Sequence, residues 1–196
     1  MWMEKKVVLK CESNEQKFPI EVLNQWDITE LEIIGGCFSY FPEDIAILKH
    51  LKKLTVVSTK IKSIPREIFD LPELSYLSLK NNQLTELPEL KTKSKLKTLI
   101  LGRNKLTSID QILPFITDVR TLDLSGNEIE TLSQRFMLLR ELQRLNLDSN
   151  KLRTLPVWMK DVGELAHLSV ERNPFSSNEK ARIERDLGIS LTTTLE

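Results

Sequence analysis

The sequence predicts an α/β repeat: one solenoid of short parallel strands stacked in register, with a cap at each end. Three observations carry that prediction. Asparagine recurs at Asn82, Asn104, Asn127, Asn150 and Asn173, spaced 22, 23, 23 and 23 residues apart. Each asparagine stands in the same apolar frame, visible in LSYLSLKNNQL, LKTLILGRNKL, VRTLDLSGNEI, LQRLNLDSNKL and LAHLSVERNPF. Proline keeps the same register, with Pro19, Pro42, Pro65 and Pro88 each 23 apart and Pro156 68 further on. A period of roughly 20–50 residues marks units that bury their apolar faces only by stacking on one another.

Residues 1–27 read as an N-terminal cap. The segment VVLKCESNEQKFPIEVLNQW has the proline but no clean LxL core, and its VVL strand, with Trp26, is expected to cover the first rung. Such a terminal strand leaves a free edge open to self-association. Residues 28–173 hold about seven repeats. In the first two, Ile28-Leu31-Ile33-Gly36-Phe38 and Leu51-Leu54-Val56-Thr59-Ile61, glycine and threonine replace asparagine, so the asparagine pattern should falter there. Within each repeat the LxL alternation suits a strand with leucines on one face and variable residues on the other. The asparagine amide can turn inward where the strand ends and satisfy backbone groups, forming a buried ladder. The proline disfavours an interior helix and suits an extended or 3₁₀ return, with Val22, Ile45, Ile68 and Met159 three residues on as core contacts. Residues 174–196 read as a C-terminal cap helix and tail. Ser176 or its neighbour caps the helix, Glu179 lies in its first turn, Gly188 ends it, and Ala181, Ile183 and Leu187 form its apolar stripe.

This frame closely resembles the leucine-rich repeat family in its 23-residue variety, LxxLxLxxNxLxxLPxxI, and small bacterial members in particular, over about residues 18–190. The resemblance implies a curved, right-handed leucine-rich repeat solenoid whose strands line the concave side. It also implies a module used mostly for protein recognition.

Composition narrows the function further. Lysine plus arginine equals aspartate plus glutamate at 28 each, so bulk charge gives no nucleic-acid or membrane footprint. No apolar run approaches the roughly 18–20 residues of a membrane span. The opening MWMEKKVVLKCES does not read as a secretory signal, which points to the cytoplasm, or to the cell surface or exterior if a signal peptide once preceded it. Cys11 and Cys37 suit free thiols, with a bridge between them as the alternative. No P-loop, nucleotide-binding glycine run, HExxH or CxxC occurs, so neither enzyme chemistry nor a cofactor is expected.

Function must then lie in the outward strand positions. The hot-spot expectation falls on Tyr76, Ile100, Arg103 and Arg144, since aromatic, apolar and arginine groups dominate recognition energetics. Lys80, Asp123, Asn146, Asp148, His167 and Glu171 complete the expected protein-binding face. Five of these, Asp123, Asn146, Asp148, His167 and Glu171, cluster on the last three repeats. An oxygen-rich cluster can hold calcium, but these residues lie on strands without a chelating loop, so acidic recognition surface is the preferred reading and no metal is assigned. Two basic runs stand out: Lys49, Lys52, Lys53, Lys60, Lys62 and Arg66, then Lys91, Lys93, Lys95, Lys97, Arg103 and Lys105. They would draw an acidic polymer or glycan, or simply keep the surface soluble. The expected protein is a monomer or weak homodimer that binds a protein partner through its strand face.

Overall fold

The computed structural model describes residues 5–12, 14 and 16–188. Eight strands form one sheet in chain order, all parallel: β1 (Lys6–Cys11), β2 (Glu30–Gly35), β3 (Lys53–Val57), β4 (Tyr76–Ser78), β5 (Thr98–Ile100), β6 (Thr121–Asp123), β7 (Arg144–Asn146) and β8 (His167–Ser169). The repeats supply seven of these strands and the N-terminal segment the eighth. One helix, α1 (Ser177–Leu187), closes the C-terminal end. No described helix is long and apolar enough to cross a membrane.

The LxL core places its two apolar residues inward on every rung. Leu54 and Val56, Leu77 and Leu79, Leu99 and Leu101, Leu122 and Leu124, and Leu145 and Leu147 are all buried. Each such burial is worth about 1.5–3 kcal/mol. The return segments complete the core. Pro19, Pro42, Pro65 and Pro156 each lead directly into a 3₁₀ turn: Ile20–Asn24, Glu43–Ile47, Arg66–Ile68 and Val157–Asp161. In each turn the residue three beyond the proline (Val22, Ile45, Ile68 or Met159) is buried. Pro88 differs, because the repeat it belongs to is one residue shorter and returns without a 3₁₀ turn.

Inside the bend after each strand runs the asparagine ladder. Asn104 donates from Nδ2 to the carbonyls of Leu101 on its own rung (2.8 Å) and Leu79 on the preceding one (3.0 Å). Its Oδ1 accepts the amide of Leu84 at 3.0 Å. Asn127, Asn150 and Asn173 repeat this pattern, accepting from Leu106, Ile129 and Leu152. All five asparagines are buried, and among the described residues no buried side-chain polar atom lacks a partner. The expected fading at Thr59 takes a specific form. Asn82 Oδ1 accepts both the Thr59 amide (3.0 Å) and its hydroxyl (2.8 Å), so threonine joins the ladder as a donor.

A second column accompanies the ladder. The residue before each ladder slot has positive φ: Gly35, Ser58, Asn81, Arg103, Gly126, Ser149 and Arg172. This left-handed residue turns the chain out of the strand and aims the next side chain inward. Only Gly35 requires glycine on packing grounds, since a Cβ there would lie 2.5 Å from the Cys11 carbonyl oxygen.

The caps depart from expectation in two details. At the N-terminus Trp26 is 57% exposed and is not among the side chains packed against the core. Phe18 does that work, with edge contacts to Phe38 (5.6 Å) and Phe41 (4.6 Å), because it follows the proline register that Trp26 does not. At the C-terminus Ile183 is fully buried and Leu187 partly so, but Ala181 is exposed and not part of the stripe. Ser176 is the N-cap, accepting the Glu179 amide, and Gly188 ends the helix at φ 67°. Glu179 bridges to the last rung: it accepts the Leu155 amide at 2.8 Å and pairs with Arg182 at 2.6 Å. Arg182 in turn donates to the Leu155 carbonyl. The tail beyond Gly188 lies outside the described residues.

Two predictions follow from this framework. Asn127→Ala leaves the Leu106 amide without its acceptor and takes one of two donors from each of the Leu101 and Leu124 carbonyls, and should lower stability by roughly 1–3 kcal/mol in chemical denaturation. The second concerns acid. Hydrogen bonding from Arg182, opposed in part by desolvation, holds the Glu179 carboxyl below its ordinary 4.5. The unfolded chain therefore takes up that proton first, so this stability is full above about pH 4.5 and is lost as pH falls through the lower folded value. The melting temperature of the native chain should drop more steeply below pH 4.5 than that of Glu179→Gln.

Candidate functional site

Register turns the variable strand residues into rows. The first row runs Lys6, Glu30, Lys53, Tyr76, Thr98, Thr121, Arg144, His167. The second runs Val8, Glu32, Thr55, Ser78, Ile100, Asp123, Asn146, Ser169. Two residues further along each chain lies a third: Lys10, Ile34, Val57, Lys80, Gly102, Ser125, Asp148, Glu171. The repeats supply seven places in each row, and the N-terminal segment adds Lys6, Val8 and Lys10.

Over β5–β8 the strand face opens into a groove of about 850 Å³. Ile100, Thr121, Asp123, Arg144, Asn146, His167 and Ser169 line it, and the end of α1 at Leu187–Gly188 bounds it. Five of the ten expected binding residues thus meet in one concavity: Ile100, Asp123, Arg144, Asn146 and His167. Asp148 and Glu171 flank it in the third row. Tyr76, Lys80 and Arg103 stand apart. Tyr76 carries Lys53 over its ring, with the ammonium 5.0 Å from the centroid. Arg103 sits in the left-handed column, and a Cβ on Gly126 would touch its Cγ at 3.3 Å. Residue type alone marked these two as hot spots, whereas the groove is placed by the helix that bounds it.

Internal hydrogen bonds explain the acidic cluster. Asp148 Oδ1 accepts the Ser169 hydroxyl (2.6 Å) and the Glu171 amide (2.7 Å). Asp123 accepts the Ser125 amide at 2.9 Å, and Asn146 accepts that of Asp148 at 2.9 Å. Asp148 thus ties the end of β7 to that of β8, whereas Asp123 and Asn146 brace the ends of their own strands. Gly102 leaves room for the Asp123 carboxylate and the Ser125 hydroxyl, which a Cβ there would approach to 3.2 and 2.9 Å.

The basic runs separate across the molecule. Lys93 and Lys97 both pair with Asp118, at 2.8 and 3.6 Å, on the flank that precedes the strands. Hydrogen bonding from Lys93, with help from Lys97, holds that carboxyl below its usual range despite some desolvation. The same flank pairs Lys5 with Asp27, His50 with Glu73 and Arg120 with Glu141. Lys60 lies on the other flank, donating to the Cys37 sulfur at 3.0 Å. Lysines adjacent in sequence therefore do not merge into one basic surface. Cys11 and Cys37 are not joined by a disulfide, and each is half-buried.

Comparison with known proteins places this architecture. A family model described as leucine rich repeat matches residues 49–90, 94–152 and 117–175, more than half of the chain. The chain belongs to the leucine-rich repeat family. That fold is generally a protein-interaction module, and the family is typically non-catalytic. A disease resistance protein (RGA4) of Oryza sativa subsp. japonica is 40% identical over 98 residues, 46% of this chain and 10% of that protein. A probable inactive serine/threonine-protein kinase (roco10) of Dictyostelium discoideum is 31% identical over 99 residues, 48% of this chain and 4% of that one. The chain thus spans a tenth or less of the length of these curated relatives. Among solved structures, an internalin (inlF) of Listeria monocytogenes superposes with a TM-score of 0.71 at 18% identity, over 92% of this chain and 54% of that one. A TLR13–ssRNA13 complex gives 0.75 at 25% identity, over 91% of this chain and 26% of that one.

Proposed function

We propose that this protein is a non-catalytic recognition module that binds a partner protein through the strand face, centred on the groove over β5–β8. The observation that supports this most is the convergence of five outward residues, Ile100, Asp123, Arg144, Asn146 and His167, into one concavity bounded by α1. Asp123 and Asn146 also brace their own strand ends, whereas no hydrogen bond of the ladder runs through Ile100, Arg144 or His167. Arg144 and His167 are exposed, so evolution can vary them without disturbing the ladder beneath. Such a division suits recognition, in which a rigid scaffold presents a few arginine and apolar anchors.

A second reading is self-association through β1. Among the described residues this strand pairs on one side only, and Val8 is 44% exposed on it. Ile20, Trp26, Tyr40 and Ile47 are exposed at the same end of the chain. Lys6 and Lys10 oppose it, since charge on an edge strand discourages pairing.

Arg144→Ala combined with His167→Ala should remove capture of the native partner while leaving the melting curve almost unchanged. Tyr76→Ala combined with Arg103→Ala should retain capture. The reverse outcome would move the binding site to the N-terminal half of the face. Light scattering across a concentration series tests the second reading, and a constant monomer mass would end it.

A further inference from the structure

Two neighbouring side chains on the groove floor are held alike. Asp123 Oδ1 accepts the Ser125 amide and Asn146 Oδ1 accepts the Asp148 amide, each at 2.9 Å and each from two residues further along its own chain. Because a backbone N–H donates to it, the bonded atom of Asn146 is its oxygen, and Nδ2 with its two donors is the other end. Asp123 and Asn146 are register partners on β6 and β7, one strand spacing of about 4.8 Å apart, and both are half-buried in the groove. A Cβ on Gly102 would approach Asp123 Oδ2 to 3.2 Å, so glycine there keeps room for that oxygen. Among the described residues, neither Asp123 Oδ2 nor Asn146 Nδ2 has a hydrogen-bond partner.

The groove floor therefore presents an acceptor beside a donor, and that pairing selects an occupant. A partner carboxylate would set its acceptors against Asp123. An ammonium or guanidinium would set donors against Asn146 Nδ2, and Arg144 and Lys160 already line the same groove with positive charge. A trans main-chain peptide unit points its N–H and C=O to opposite sides, so one such unit does not meet both groups. A primary carboxamide carries donor and acceptor on one planar end and meets both at once.

We propose that the groove takes a glutamine or asparagine side chain of the partner protein. Its NH2 donates to Asp123 Oδ2, and its carbonyl accepts from Asn146 Nδ2. This rests on the strand-face reading above and deepens it by naming the group that is recognised. Selectivity comes from mismatch, because any other head group leaves an acceptor facing an acceptor or a donor facing a donor in a half-buried place.

Isosteric exchanges test the pairing, since Asp123→Asn and Asn146→Asp each keep the oxygen that accepts the backbone amide. Peptides selected on the native chain from a random library displayed on phage should share a glutamine or asparagine at one position. Placing glutamate there should weaken binding about tenfold in fluorescence anisotropy. Asp123→Asn makes the floor a pair of donors and should bind the glutamate peptide most tightly. Asn146→Asp makes it a pair of acceptors and should bind the arginine peptide most tightly. Each variant thus gains a ligand, which loss of folding cannot produce. Selected peptides that share a basic residue or no residue at that position overturn the proposal. So does a preference for glutamine that Asp123→Asn leaves intact, or a library that yields no binder. If any of these occurs while Arg144→Ala with His167→Ala still loses the native partner, the carboxamide proposal fails and the strand-face reading stands.

Discussion

The rest of the structure depends on one buried interaction, the side-chain amide that bridges two strand ends. Each repeat must bend sharply after a strand of only three to six residues, and bending strands its backbone groups inside the core. A buried amide or carbonyl without a partner costs about 1–3 kcal/mol. Asparagine answers both needs at once, because it carries two donors and an acceptor on a short stem. By bonding to its own rung and the one before, it couples bending to stacking. A rung in the wrong register would lose both sets of bonds, so the ladder fixes which residues lie beside which.

That coupling explains why so much was legible in the sequence. The asparagine period sets the register, and the strand pairing keeps equivalent residues of successive repeats side by side from β2 to β8. Other features were hidden for physical reasons. The left-handed column is occupied by glycine only at Gly35 and Gly126, and serine, asparagine and arginine elsewhere mask it. Trp26 looks like a cap residue by type, but position decides, and Phe18 holds the place in register. Ala181 is apolar by type yet points outward, because two residues from Ile183 on a helix is about 200° round the axis, whereas Leu187, four residues on, shares its face. The groove itself was not legible at all, since it depends on how α1 meets the last rungs.

The scaffold and the recognition surface are thereby separated within each repeat. Leucine and asparagine are held by the core, while the alternate positions are exposed to solvent and free to differ. The acidic groups of the last rungs show how the two overlap: Asp123 and Asp148 present charge to the surface while accepting amide hydrogens from neighbouring residues. Asp118 has the opposite part on the flank. There it pairs with both Lys93 and Lys97, offsetting one of their two positive charges.

Amide hydrogen exchange at Leu84, Leu106, Ile129 and Leu152 tests the ladder most directly. Each of these amides donates to an asparagine Oδ1 on the following rung, at 3.0–3.1 Å. The account predicts exchange as slow as in the central strands, limited by unfolding of the whole stack. Exchange at the rate of the exposed return segments would mean that the asparagines do not hold the rungs in register.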